Sequence, residues 1–179
     1  NPKKRRDLSI AFVPENRLGH SAVPELSLSE NILLSQFPGN NFSKNGIINY
    51  QQIKKHVNSV IDKFNVVTPD AEAKASSLSG GNLQKFVIGR EISSNPKLLI
   101  ISHPTWGIDA GAEFAIRESL ISLSKKGTSI IVISQDLDEL FEITHSLSVI
   151  FNGKLSNSYQ TKDVSLEKIG LLMGGHKNV

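Results

Sequence analysis

The segment Leu78-Ser-Gly-Gly-Asn-Leu-Gln-Lys85 carries residue types suited to holding a phosphate. Ser79 offers a hydroxyl, and Gly80 and Gly81 let the backbone approach an anion closely. Leu83, Phe86 and Val87 follow at helical spacing, so the two glycines fall at a helix start. The free N–H groups and the positive end of such a helix face an anion. A Ser-Gly-Gly tripeptide alone is a common turn, and the full octapeptide carries the argument. A second chemical candidate is Ser102-His103, a hydroxyl and an imidazole just past the apolar run Leu98–Ile101. An imidazole can accept a proton near neutral pH, although a lone His after a strand is more often packed or solvated.

The elements that position these residues read from periodicity and punctuation. Leu8–Val13 is a short apolar run closed by Pro14 and is expected to be a strand. Ser27-Leu-Ser-Glu30 is a capping box that starts a helix over Leu28, Ile32 and Leu33. Residues 36–50, rich in Asn, Gly, Ser and Pro, read as a loop. Gln51–Phe64 reads as a helix with Ile53, Val57, Val60, Ile61 and Phe64 on one face. Residues 66–77 form a connection, and a helix over Ser79–Ile92 follows.

Leu98–Ile101 and Ser129–Ile133 read as strands buried on both faces. Asp109 caps a helix between them that ends at Gly127. Asp136-Leu-Asp-Glu139 is a further capping box, and Leu147–Phe151 reads as a third strand. Asn152-Gly153 is then a turn before a return strand. Strands alternating with helices over short joints predict an α/β fold with one largely parallel sheet and right-handed crossovers. Residues 28–95 show no parallel-strand run and read as a helical insert.

The totals bound the class. A chain of 179 residues with 39% apolar and 21% charged content fits one globular core. No run approaches the roughly 18 apolar residues that span a bilayer. Zero cysteines exclude disulfides and thiolate metal sites and fit the cytosol. Net charge is a mild +3, and the dense basic run Lys3-Lys4-Arg5-Arg6 reads as a solvated terminus.

The octapeptide 78–85 resembles the signature motif of ABC transporter ATPases, in the variant of the C-terminal half of tandem sugar-type importer ATPases. The resemblance runs from about residue 9 to the C-terminus. Leu98-Leu-Ile-Ile-Ser-His-Pro-Thr-Trp-Gly-Ile-Asp109 is similar to the Walker B segment and D-loop. Val13-Pro-Glu-Asn-Arg17 is similar to the lid-loop string of sugar-type members. The resemblance implies a P-loop NTPase-like core, a helical signature subdomain, and ATP and Mg2+ as cofactors in the full assembly.

Several positions depart from the pattern. The glycine-rich loop G-x-x-x-x-G-K-[ST] is absent, since Gly153-Lys154 is followed by Leu155. Ser102 stands at the metal-supporting Asp and His103 at the water-polarising Glu. Gln135 stands at the switch histidine and Glu15 at the lid glutamine. No residue of this chain is expected to bind metal alone. The resemblance implies instead that Ser79, Gly80, Gly81 and Gln84 meet the γ-phosphate of an ATP bound in trans, with Asp109 intact in the D-loop.

These features predict a partial nucleotide-binding domain over 1–179, lacking its N-terminal part. It divides into a lid strand and loop (8–27), a helical subdomain (28–95), a parallel core (96–156) and a C-terminal helix or tail (157–179). The implied function is the ATP-binding half of an importer for simple sugars or nucleosides. Its expected partners are an N-terminal half or second ATPase subunit, transmembrane permease subunits and, indirectly, a solute-binding protein, with no nucleic acid. It would sit peripherally on the cytoplasmic face of a bacterial inner membrane. The alternatives are a non-catalytic regulatory half, a decayed remnant and a soluble ABC ATPase acting on nucleic acid or ribosomes. The partial core is expected to expose an apolar patch beside Leu98–Ile101.

Overall fold

The computed structural model describes residues 1–36, 42–44 and 46–176. They form two compact units, Asn1–Ile133 and Ser134–Val179. The first unit runs α1 (Pro2–Asp7), β1 (Ile10–Val13), α2 (Leu28–Gln36), β2 (Ser43–Lys44), β3 (Ile47–Ile48) and α3 (Tyr50–Lys63). It continues with α4 (Gly80–Ser93), β4 (Leu98–Ser102), α5 (Ala110–Lys125) and β5 (Ser129–Ile133).

The three-stranded sheet of this unit is parallel throughout, in the order β1-β4-β5. Ile10 stands opposite Leu98, and Leu98 opposite Ser129. Ala11, Val13, Leu99 and Ile101 are buried on one face, where α4 packs on β1 and α5 on β5. On the other face Phe12, Ile131 and Ile133 are each 50% exposed. The expectation of two strands buried on both faces is therefore corrected. β5 is exposed at Ser129, Ile131 and Ile133 and half-buried between them. Period-two geometry puts alternate residues on opposite faces, so a continuous apolar run can still leave half its side chains wet.

The helical layer follows its capping signals. Glu30 N–H donates to Ser27 Oγ at 3.1 Å, and Ser27 N–H donates to Glu30 Oε2 at 2.8 Å, a reciprocal capping box. Asn49 caps α3 by accepting the Gln52 N–H. Ile53, Val57, Val60 and Phe64 are buried against α4. Close approach requires Gly89, where an added Cβ would lie 2.5 Å from the Phe64 ring and 2.8 Å from Val60 Cγ1.

Two local readings change. Residues 36–50 are not all loop: α2 extends to Gln36, and β2 and β3 pair as an antiparallel hairpin. Positions 37–41 and 45 of that stretch lie outside the described residues. The basic run forms α1, and Arg6 is not merely solvated. Its Nη1 donates to Glu91 Oε2 at 2.8 Å, while Arg90 Nε donates to Glu91 Oε1 at 3.0 Å. A buried carboxylate needs paired donors, and two arginines supply them.

The second unit runs α6 (Leu137–Ile143), β6 (Ser146–Leu147), β7 (Ile150–Phe151), β8 (Lys154–Leu155), β9 (Tyr159–Gln160) and α7 (Leu166–Met173). Leu147–Phe151 is not one strand of the parallel sheet. Its first part pairs antiparallel with β9, and its second pairs antiparallel with β8. The cause is local. Asn152 and Gly153 both take positive φ, 47° and 73°, as a two-residue type I′ turn requires. That turn sends β8 straight back along β7. Residues 177–179 of the expected C-terminal tail lie outside the described residues.

Candidate functional site

The N-terminus of α4 presents a serine hydroxyl and two glycine amides. Ser79 is the N-cap, and its Oγ accepts Asn82 N–H at 3.4 Å and Asn82 Nδ2 at 3.0 Å. The hydroxyl proton remains able to donate outward. Gly80 and Gly81, in the first turn, have N–H groups without intrahelical acceptors. Ser79 and Gly80 are exposed and Gly81 is half-buried. Asn82 Oδ1 in turn accepts Val67 N–H at 2.9 Å, which fixes the approach of the preceding connection.

The glycines also serve the segment after β4. A Cβ on Gly81 would meet Gly107 O at 3.4 Å, and one on Gly80 would meet Arg17 Nη1 at 3.0 Å. Gln84 lies one turn further in and is 2% exposed. Its amide is committed to protein groups. Oε1 accepts Arg17 Nε at 3.0 Å, and Nε2 donates to His103 O at 3.3 Å and Pro104 O at 3.1 Å. Gln84 thus stands behind Ser79, Gly80 and Gly81 rather than beside them at the surface.

Arg17, at the end of the Val13–Arg17 string, joins this site although no spacing pattern marks it. Its Nη2 donates to Trp106 O, and burial lowers its pKa from the ordinary guanidinium value. The available signal was a single arginine in a loop string.

Asp109 is placed as expected for a cap. Its Oδ1 accepts Ala112 N–H at 2.9 Å, and its Oδ2 lies 3.1 Å from Lys85 Nζ. The Ala112 N–H first, and Lys85 after it, hold this carboxyl below its usual pKa. The last residue of the octapeptide and the N-cap of α5 are therefore one ion pair.

Ser102, His103 and Glu15 also come together. His103 turns the chain out of β4 with φ of 48°, while its N–H donates to Ile133 O at 2.8 Å. Ser102 Oγ is 3.0 Å from His103 Nδ1, and Glu15 Oε2 is 4.0 Å from the same nitrogen. A relay that activates a serine needs the hydroxyl and the carboxylate on opposite ring nitrogens. Here both face Nδ1, so the arrangement does not make Ser102 a nucleophile. Nor do the donors fit Mg2+, which is bound through carboxylate oxygens and water. One exposed carboxylate and a hydroxyl already bonded to an imidazole are what this strand end offers. Among the described residues no group of three His, Asp or Glu could hold a metal ion. Gln135 is exposed in the second unit, beside the turn where Asp136 N–H donates to Ser134 Oγ.

No protein-family profile matches the chain. It is 37% identical over 178 residues to the nucleoside import ATP-binding protein NupA of Lactococcus lactis subsp. cremoris, covering 99% of this chain and 35% of that protein. It is 35% identical over 174 residues to the guanosine import ATP-binding protein NupO of Bacillus subtilis, covering 97% of this chain and 34% of that protein. The glucose import ATP-binding protein TsgD13 of Haloferax volcanii is 33% identical over 98% of this chain and 32% of its own length. The chain thus spans about a third of the length of these curated relatives. In fold it matches a dimeric ATP-binding cassette bound to ADP and Pi, with a TM-score of 0.71 at 21% identity over 85% of this chain and 62% of that one. An ATP-binding subunit of an ABC transporter matches at a TM-score of 0.72 and 20% identity, over all of this chain and 67% of that one. Among the described residues no helix is long and apolar enough to cross a membrane.

Proposed function

Since the chain belongs to the ATP-binding cassette family of importer ATP-binding proteins, we propose that it serves an importer of simple sugars or nucleosides by lending its signature to an ATP held by a partner ATPase half. The observation that carries this reading is the state of the α4 N-terminus. Ser79 caps it, the Gly80 and Gly81 amides lie in its first turn, and Gln84 and Lys85 brace it from behind. Donors fixed in advance at a developing charge cost no reorganisation when the reaction occurs. The Ser79 hydroxyl and the two glycine amides would bind the γ-phosphate and stabilise charge as that phosphoryl group transfers.

The groups that would act on a nucleotide of this chain's own are weaker. Ser102 is uncharged, and the Ser102 hydroxyl and the Glu15 carboxylate both face Nδ1 of His103. In this reading the ATP met by Ser79, Gly80 and Gly81 is held, with its Mg2+, by the partner half. Permease subunits at the cytoplasmic face of the membrane complete the assembly, a solute-binding protein feeds it indirectly, and no nucleic acid takes part.

The test is ATP hydrolysis by the reconstituted importer carrying Ser79→Arg or His103→Ala separately. Ser79→Arg removes the hydroxyl and places bulk at the α4 N-terminus. Loss of even one pre-placed donor of this kind costs about 10²–10³ in kcat. His103→Ala should cost little. Equal losses would make His103 a working base and overturn the asymmetry. No loss from either would point to a remnant. The 179-residue chain alone should show no turnover above background.

A further inference from the structure

Arg17 touches three segments that the proposed reaction needs in register. It lies in the loop between β1 and α2, and its carbonyl holds that loop by accepting Ser21 N–H at 3.0 Å and Ala22 N–H at 2.9 Å. Its Nε donates to Gln84 Oε1 in the signature helix at 3.0 Å. Its Nη2 donates to Trp106 O in the segment between β4 and α5. Gly80 and Gly107 leave the room it occupies, since a Cβ on either would lie 3.0 or 3.4 Å from a guanidinium nitrogen.

The position is electrostatically unusual. A cation beside a helix N-terminus opposes the positive end of the helix dipole. Arg17 Nη1 lies beside Gly80 there, and among the described residues it has no hydrogen-bond acceptor. The Gln84 and Trp106 oxygens offset that conflict and hold the guanidinium as a clasp. Lysine could not replace the fork, because one ammonium lacks the planar geometry that reaches both oxygens.

Resting on the signature reading above, we propose that Arg17 is a positioning residue that locks the lid loop, the signature helix and the D-loop together, so that a shift of the lid loop is transmitted to the phosphate-binding turn. Its effect is exerted through Gln84 and Trp106 rather than by contact with the reacting atoms.

The chain's single tryptophan, Trp106, reports directly on the clasp. In the 179-residue chain, Arg17→Met and Arg17→Lys should both lower Trp106 fluorescence anisotropy and increase quenching by iodide, with the far-UV circular dichroism unchanged. In the reconstituted importer both variants should lower kcat about tenfold to a hundredfold, as small misplacements of positioned groups do. KM for ATP should stay within about twofold, because uniform nucleotide binding is not what is lost. Unchanged Trp106 signals would overturn the clasp. A freed Trp106 with unaltered kcat would overturn its role in positioning, as would a raised KM at constant kcat. Full wild-type kinetics from Arg17→Lys would show that charge rather than the fork matters and would equally overturn it. Ser79→Arg, assayed in parallel, separates the two ideas. Undiminished hydrolysis there refutes the signature reading, and the Trp106 measurements still decide the clasp.

Discussion

Lys85 Nζ lies 3.1 Å from Asp109 Oδ2, so the signature helix and the start of α5 are joined by an ion pair at the site's rim. The Ala112 N–H and Lys85 depress the Asp109 pKa in the fold. A depressed carboxyl contributes stability that is present above its unfolded value, about 3.9, and is lost as pH falls through its lower folded value. The urea midpoint of Asp109→Asn should therefore lie below wild type at pH 7, and the gap should close as pH falls below about 4. A gap that stays constant over that range would show that the charge is not what stabilises.

Gly89 sets helix propensity against packing. Alanine is favoured over glycine inside a helix by about 1 kcal/mol. An added Cβ would sit 2.5 Å from Phe64 Cδ2 and 2.8 Å from Val60 Cγ1, and both side chains are buried. Overpacking of this kind costs about 1–3 kcal/mol. Packing wins where the contact is this close, and Gly89→Ala should lower the unfolding free energy by up to about 2 kcal/mol in urea titrations, the difference of those two terms. A stabilised variant would mean that α3 and α4 part without cost.

Glu91 is buried between two arginines, Arg90 also buried and Arg6 with its side chain 30% exposed. Burial lowers the Arg90 pKa, and the Glu91 charge opposes that. Glu91→Gln would leave Arg90 as an uncompensated interior charge and should cost about 3–5 kcal/mol. Arg6→Met removes the outer partner and should cost about 1 kcal/mol or less, as partly exposed pairs do. Denaturant unfolding of the two variants tests the order, and equal losses would contradict this division between inner and outer partner.

What was legible in the sequence was what local chemistry decides. The Ser27–Glu30 box, the Asp109 and Asp136 caps, the Asn152-Gly153 turn and the α4 helix all follow from residues a few positions apart. Ser79, Gly80 and Gly81 at a helix start belong to the same class. Pairing partners were not legible. Leu147–Phe151 looks like any short buried strand, and its antiparallel pairing depends on the turn behind it and on β9, twelve residues beyond Leu147 in register. Arg17 and Gln84 are 67 residues apart, so no spacing rule connects them. The burial of Gln84 was equally hidden, because a polar residue one turn into a helix reads the same whether it faces solvent or a carbonyl pair.

The sheet of the first unit separates two chemically similar isoleucines. Ile101 is fully buried on the face covered by helices, whereas Ile131, on the adjacent strand, is 50% exposed on the opposite face. Ile101→Ala should cost about 2–5 kcal/mol, because it removes buried methyl groups and leaves a cavity. Ile131→Thr keeps a β-branched side chain on the strand and gives up partly wetted surface, so its cost should stay near 1 kcal/mol or below. Phe12 shares that face through the register Phe12–Ile100–Ile131, and a row of apolar side chains there offers a surface for hydrophobic dyes. Binding of 8-anilinonaphthalene sulfonate by the folded chain should fall in Phe12→Thr combined with Ile131→Thr, and should be unaltered by polar substitutions on exposed helix surfaces. If Ile131→Thr costs as much as Ile101→Ala and leaves dye binding unchanged, the face is packed in solution and the one-sided burial of this sheet is wrong.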